Sequence, residues 1–270
     1  MNLGDIRDLY ISEGFSYLEA SSRTSQDVLL TLIAKSGLSK NVTIKGGVVI
    51  QHVSGDSRRA TQDFDLDFIR YSLNDDSIRR FIEELNKTFV DITISITAPI
   101  EEMKHQDYNG KRVYICIEDN MGTTIETKLD IGVHKNISLE QDEYCFELDK
   151  LDDSVSLLVN TKEQSFAEKL KSLLRLGASS TRYKDIFDMY WFATHGSIDR
   201  TVFIQNLKVF IFNDKTMREN NTKDIASRLN NVFNDSYFME SLKKSKRYNW
   251  LDIEPIAATK SLLEFFIDLQ

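Results

Sequence analysis

The sequence predicts an α+β protein, with an α/β domain built on a mixed sheet over residues 1–160 and a helical domain over residues 161–270. Three observations carry this reading. Residues 63–68 run Asp-Phe-Asp-Leu-Asp-Phe, the period-two alternation of a half-buried strand. From residue 162 onward the apolar residues recur at helical spacing instead. Charge changes at the same place. Residues 1–160 hold 17 Lys and Arg against 28 Asp and Glu, whereas residues 161–270 hold 17 against 14. An acidic, cation-holding half followed by a half suited to an anionic substrate would show this split, although surface charge varies along any chain.

Taken in order, residues 4–20 and 26–36 are predicted helices, the second through Val28, Leu29, Leu32 and Ile33. Asn41–Lys45 is a short strand that ends in Gly46-Gly47, and Val48–His52 is a helix. Ser54–Arg59 is a loop and residues 63–70 are the acidic strand. Asp75–Thr88 is a helix with Ile78, Phe81, Ile82 and Leu85 on one face. Asp91–Thr97 alternates as a strand. Arg112–Glu118 and Thr123–Val133 form a strand pair across a turn ending at Gly122. A soft boundary falls near residues 151–161. Lys162–Leu176 is amphipathic, with Phe166, Leu170, Leu173 and Leu174 inward and Gly177 placed as its cap. Thr181–Thr194 follows, and further helices cover 199–211, 222–243 and 253–268.

Composition excludes several classes. With 270 residues, 41% hydrophobic and 28% charged, the chain is ordinary and globular. A net charge of −8 argues against a generic DNA-coating protein. No apolar run reaches the length of a membrane span. The opening Met-Asn-Leu-Gly-Asp-Ile-Arg has no signal-peptide pattern. Cys116 and Cys145 are isolated and read as core thiols of a reduced, cytoplasmic protein. His52, His105, His134 and His195 form no metal-ligand spacing.

The acidic strand is the chemical centre of the sequence. At about 3.3 Å per residue, Asp63, Asp65 and Asp67 share one face with neighbours roughly 6.6 Å apart. Carboxylates in such a row call for a cation, and hard oxygen donors suit Mg²⁺, which takes one or two carboxylates together with substrate phosphates. The ordinary alternative is a solvated polar strand face. Asp130, between Leu129 and Ile131, faces opposite to both and is a candidate third carboxylate, as a metal ligand or a general base. The strand–Gly46-Gly47–helix order forms a phosphate cradle if backbone N–H groups and the helix N-terminus face an anion, and a plain turn otherwise. Arg182 with Asp185 (i, i+3) and Lys184 with Asp188 (i, i+4) have the spacing of ordinary helix ion pairs. Lys243-Lys-Ser-Lys-Arg247-Tyr248-Asn-Trp250 is the densest basic run, either a solvated helix end or a grip on an RNA backbone with stacking from Tyr248 or Trp250.

Four pieces, in order, carry a resemblance: Lys45-Gly46-Gly47; Arg59-x-Thr61-x-Asp63-Phe64-Asp65; Leu129-Asp130-Ile131-Gly132; and Ala167-Glu168-Lys169-Leu170 followed by Arg182-Tyr183-Lys184-Asp185-Ile186-Phe187-Asp188. Together they resemble the AbiEii/AbiGii-type nucleotidyltransferase toxins of bacterial toxin–antitoxin and phage-defence systems. The match runs from about residue 40 to 195, and the last 75 residues match only as helices. The resemblance implies a DNA-polymerase-β-like nucleotidyltransferase core that uses Mg²⁺ and an NTP to transfer a nucleoside monophosphate to an acceptor. It implies Asp63, Asp65 and Asp130 as metal ligands, and Lys45, Gly46, Gly47, Arg59, Thr61, Lys169 and Arg182 on the nucleotide. Lys169 would be a point charge on the triphosphate, oriented by Asp185 or Asp188. An RNA acceptor such as the tRNA 3′ end and a cognate antitoxin are further implications. Val48 follows Gly46-Gly47 where such enzymes usually carry Ser, and the span from Gly47 to Asp63 is longer than usual. The other readings are nucleotidylation of a protein or small molecule, and a non-catalytic module that holds a nucleotide.

Overall fold

The computed structural model describes residues 1–103, 110–136 and 139–269. The chain forms two compact units, Met1–Asn160 and Thr161–Gln270.

The first unit opens with two helices, α1 (Leu3–Ser12) and α2 (Tyr17–Lys35). The predicted helix over 4–20 is broken in the middle. Gly14 takes a left-handed φ of +96°, and Ser16 starts α2 with a reciprocal cap to Glu19. The polar run Ser21–Gln26 hid the first half of α2 in the sequence, because Arg23, Thr24, Ser25 and Gln26 are buried there. Strand β1 (Val42–Lys45) leads straight into α3 (Gly46–Ser54). Then come β2 (Phe64–Phe68), α4 (Asp75–Asn86), β3 (Ile92–Ile96), β4 (Glu101–Met103), β5 (Gly110–Asp119) and β6 (Thr124–Val133). Asn74 caps α4 by accepting from the Ser77 N–H, and Asp75 and Asp76 in its first turn complement the helix dipole. Two strands then fall where the sequence pattern assigns none, β7 (Asp142–Leu148) and β8 (Asp153–Val159). The second occupies most of the stretch expected to be a boundary.

The sheet is mixed, in the order β3-β5-β6-β2-β1-β8-β7, with β4 pairing β5 at the side. β2 lies parallel to β6 and antiparallel to β1, and β1 lies parallel to β8. One face is apolar. Phe64, Leu66, Phe68, Val113, Ile115, Ile117, Leu129 and Ile131 are all buried there. Helix α2 packs over β6 and β8, and α4 over β3. The other face carries the alternate residues, and these are the charged ones.

The second unit is helical: α5 (Lys162–Leu176), α6 (Tyr183–Thr194), α7 (Arg200–Leu207) running on into a π-helical turn Lys208–Phe212, α8 (Thr222–Phe233), α9 (Ser236–Lys244) and α10 (Pro255–Ile267). Gly177 ends α5 at a φ of +58°. The single helix expected over 222–243 is two helices, because Asp235 caps a new one by accepting from the Phe238 N–H. Phe166 lies at the centre of an aromatic cluster with Phe192, Phe203, Phe265 and Phe266.

Phe68 is fully buried and meets Tyr71 and Phe81 edge-on at 5.0 and 5.2 Å. Phe68→Ala is therefore expected to lower the first unit's stability by about 3–5 kcal/mol, read from urea unfolding. In the second unit, Lys171 Nζ donates to Asp214 Oδ2 at 2.6 Å, and this bond holds the Asp214 carboxyl down at about 2. A depressed carboxyl stabilises the fold above its unfolded value and loses that contribution as pH falls through the folded one. Asp214→Asn should therefore lower the urea midpoint at pH 7, and the gap to wild type should narrow as pH is taken below about 4; a gap independent of pH would contradict this.

Candidate active site

The register of four strands assembles a charged row in the first unit. Lys45 on β1 lies opposite Asp65 on β2, Asp65 beside Asp130 on β6, and Asp130 opposite Arg112 on β5. One row across the sheet therefore reads cation, carboxylate, carboxylate, cation, with strands about 4.8 Å apart. Arg112 grips Asp130 with both arms, Nε to Oδ1 at 2.8 Å and Nη2 to Oδ2 at 2.7 Å. This bond pushes the Arg112 pKa still further up, so the cation persists at any working pH. A bidentate guanidinium leaves each carboxylate oxygen a second lone pair. Asp130 is buried.

The neighbouring rows are also tied. Asp63 precedes β2 and faces Lys128, whose Nζ is 2.9 Å from Asp63 Oδ1. Asp67, for which the strand pattern left a cation-holding row or a solvated face open, is only 3% exposed, with Lys45 Nζ 2.6 Å from its Oδ1. It is a buried partner of Lys45, so its strand position is not a solvated face.

Gly46 and Gly47 are required sterically. Gly46 has a φ of +70°, and a Cβ there would lie 2.3 Å from Asp65 Oδ2. A Cβ on Gly47 would lie 2.6 Å from the Thr61 side chain. The backbone at the start of α3 is thus pressed against the Asp65 carboxylate and Thr61. Lys45, the N-cap residue, gives no side-chain cap to the first N–H groups of α3. Helix α2 braces the loop leading to Thr61: Arg23 Nη2 donates to the Ser57 carbonyl at 2.7 Å, and Gln26 Nε2 to the Thr61 carbonyl at 2.9 Å. Arg59, which the resemblance puts on the nucleotide, is 3% exposed, with its Nη1 donating to the Ala60 carbonyl.

In the second unit, α5 and α6 bring together Lys169, Asp185 and Asp188. Lys169 Nζ is 2.5 Å from Asp185 Oδ1 and 3.0 Å from Asp188 Oδ2. Both acids hold the lysine, so the choice between them is resolved by difference of role. Asp188 is fully buried and its Oδ1 accepts from the Trp250 indole N–H at 2.9 Å. Asp185 also faces Arg182, 3.9 Å away, which is more than half exposed. Trp250, one of the two aromatics that an RNA grip by the basic run would have used for stacking, is 4% exposed and supports Asp188. Tyr248 remains partly exposed, with the Arg247 guanidinium 4.7 Å and the Lys184 ammonium 5.9 Å from its ring centre.

Arg112, Lys128 and Trp250 were not foreseen in these roles. The pairing of Arg112 with Asp130 depends on β5–β6 register, which no local pattern encodes. Cys116 is partly exposed and Cys145 exposed, so neither is a core thiol. His105 lies outside the described residues. Among the described residues, no three His, Cys, Asp or Glu side chains converge as a metal-holding group, and no helix is long and apolar enough to cross a membrane. Asp63, Asp65 and Asp130 are therefore a row with partners, not a closed cage. The donor chemistry still fits Mg²⁺, because two hard-oxygen side chains on adjacent strands, completed by phosphate oxygens, are what that ion takes.

Comparison with known proteins gives the family. The family model described as nucleotidyl transferase AbiEii toxin, type IV toxin–antitoxin system, matches residues 27–248. Among solved structures, an H. pylori protein described as a candidate nucleotidyltransferase is 15% identical, with 94% of this chain and 96% of that chain covered at a TM-score of 0.47. An antigenic nucleotidyltransferase-like protein from Paracoccidioides brasiliensis is 16% identical, with 83% and 93% covered at a TM-score of 0.42. No curated protein matches in sequence. The family match spans most of the chain, including the carboxylate row, the glycine pair and the Lys169 helices: the protein belongs to the AbiEii nucleotidyltransferase toxins of type IV toxin–antitoxin systems.

Proposed function

We propose that this nucleotidyltransferase is Mg²⁺-dependent and transfers a nucleoside monophosphate from an NTP to an RNA acceptor, the tRNA 3′ end being the first candidate. The observation that carries the reading is the Asp65–Asp130 pair, flanked by Lys45 and Arg112, with Gly46 pressed against Asp65 at the start of α3. Membership of a toxin–antitoxin family implies an antitoxin as partner.

In this reading Asp65 and Asp130 would hold the metal, and Asp63, paired with Lys128, would be the third acid of the set. Bound there, Mg²⁺ would neutralise phosphate charge and lower the pKa of an acceptor hydroxyl. The chain's own groups do the rest. The first N–H groups of α3 at Gly46 and Gly47 receive phosphate oxygens, helped by the helix dipole. Thr61, packed on Gly47, fixes the width of that cradle. Arg112 fixes the orientation of Asp130 and offsets its repulsion with Asp65. Lys169, held by Asp185 and Asp188 in the second unit, would be a positive charge for phosphate; in the transfer the pyrophosphate leaves as the acceptor oxygen bonds to the α-phosphorus. Arg182, exposed beside Asp185, adds a second phosphate contact. The partly exposed Tyr248, with Arg247 and Lys184 around it, supports an RNA acceptor, because exposed rings among cations stack bases beside a bound backbone.

The direct test is transfer from each of four α-³²P-labelled NTPs, with Mg²⁺, into total bacterial RNA and protein. Label in a tRNA-sized band is expected, and label in protein alone would overturn the RNA assignment. Asp65→Ala should lose transfer by about 10³-fold or more while keeping its circular dichroism and melting temperature, since the carboxylate acts on developing charge. Gly46→Ala should also abolish transfer, because its Cβ displaces the Asp65 carboxylate. Trp250→Phe leaves the buried Asp188 one donor short and is expected to cost about 1–3 kcal/mol of stability; its transfer rate should fall because Lys169 loses orientation.

A further inference from the structure

A second polar cavity lies in the first unit and shares none of the residues assigned above to nucleotide or metal. Its volume is about 410 Å³, within the range of small-molecule pockets. Helices α1 and α2 contribute Tyr10, Arg23 and Asp27. The segment after α1 contributes Glu13 and Phe15. Helix α3 and the turn after it contribute His52 and Asp56, and β7 with the turn after it contributes Tyr144, Glu147, Asp149 and Lys150.

At its wall is Asp27, 4% exposed. Tyr10 donates to Asp27 Oδ2 at 2.5 Å, while Oδ1 accepts no hydrogen bond among the described residues. The two cations nearby are already committed. Arg23 holds the Ser57 carbonyl, and its guanidinium lies 4.1 Å from the Phe15 ring centre. Lys150 is ion-paired with Glu13. His52 is driven down to about 4 by burial, so at pH 7 it is neutral and does not repel a cation. The rim beyond is acidic, through Asp56, Glu147 and Asp149. A buried carboxylate with one oxygen lacking a donor, in a cavity with aromatic walls and an acidic rim, accepts an N–H bearing cation better than a neutral or anionic guest.

We propose that this cavity is a binding site for a small organic amine, with one ammonium on Asp27 Oδ1 and the alkyl chain along Phe15 and Tyr144. Burial raises the Asp27 carboxyl to about 7, with Tyr10, Arg23 and Lys150 opposing and Asp149 adding to the rise. An ammonium guest favours the ionised form, so binding tightens as pH rises from 6 to 8.

The test is titration calorimetry of the full chain with cadaverine, beside 1,5-pentanediol and glutarate. One cadaverine per chain is expected, tighter at pH 8 than at pH 6, with no heat from the diol or the diacid. Asp27→Asn keeps an acceptor for Tyr10 but removes the charge, and should weaken cadaverine about tenfold, or 1.4 kcal/mol. Glu147→Gln, at the exposed rim, should weaken it about two- to threefold and checks the site independently should the Asp27→Asn variant fail to fold. Equal binding of the diol, several cadaverines per chain, or affinity unchanged in both variants would overturn the proposal.

Discussion

Two carboxylates held side by side on adjacent strands repel each other, and the construction around β2 and β6 answers that repulsion. Asp65 and Asp130 are brought together by parallel pairing, which no side-chain adjustment can relax. The next strand on each side places a cation in register with the pair, Lys45 opposite Asp65 and Arg112 opposite Asp130. Because like charges at this distance cost several kcal/mol without compensation, the order of four strands is as much part of the site as the acids themselves. The apolar side of the same strands, with Phe64, Leu66, Leu129 and Ile131 fully or almost fully buried, supplies the force that keeps the pair in place.

Paired charge recurs in the second unit with a different balance. There a single lysine is shared by two acids, one of them fully buried. Such an arrangement fixes a long, flexible side chain at the cost of desolvating it. It makes sense where position matters more than stability, as the proposed phosphate-facing role of Lys169 would require. In both units the acids sit on regular elements and the arriving substrate is left to loops and helix ends, the division expected when geometry must be held tightly.

How much of this could be read from the chain alone depended on whether the signal was local. The alternation Asp63–Phe68 disclosed a strand and its two faces, and Lys45-Gly46-Gly47 disclosed a strand feeding a helix, because both are properties of consecutive residues. The helical character after residue 162 was legible for the same reason. Strands β7 and β8 were not, since Asp142–Leu148 mixes acids with aromatics and gives no strict period. Asp67 shows the limit of periodicity: its face was right and its burial was wrong, because Lys45 on a neighbouring strand covers it. The burial of Arg59 and Trp250 was likewise not legible. Their partners lie on other elements, and only tertiary structure brings them together.

The bond from Trp250 to Asp188 joins residues 62 positions apart. A ribosome makes this chain from residue 1 onward, so the carboxylate row can assemble once β6 has emerged at Val133, with β8 completing the sheet at Val159. Lys169 and both of its acids follow, yet the indole that steadies Asp188 is made 62 residues after that acid, just before α10. On the proposed assignment, a nascent chain passes through a long interval in which its acids are folded and its phosphate-facing lysine is not yet fully anchored.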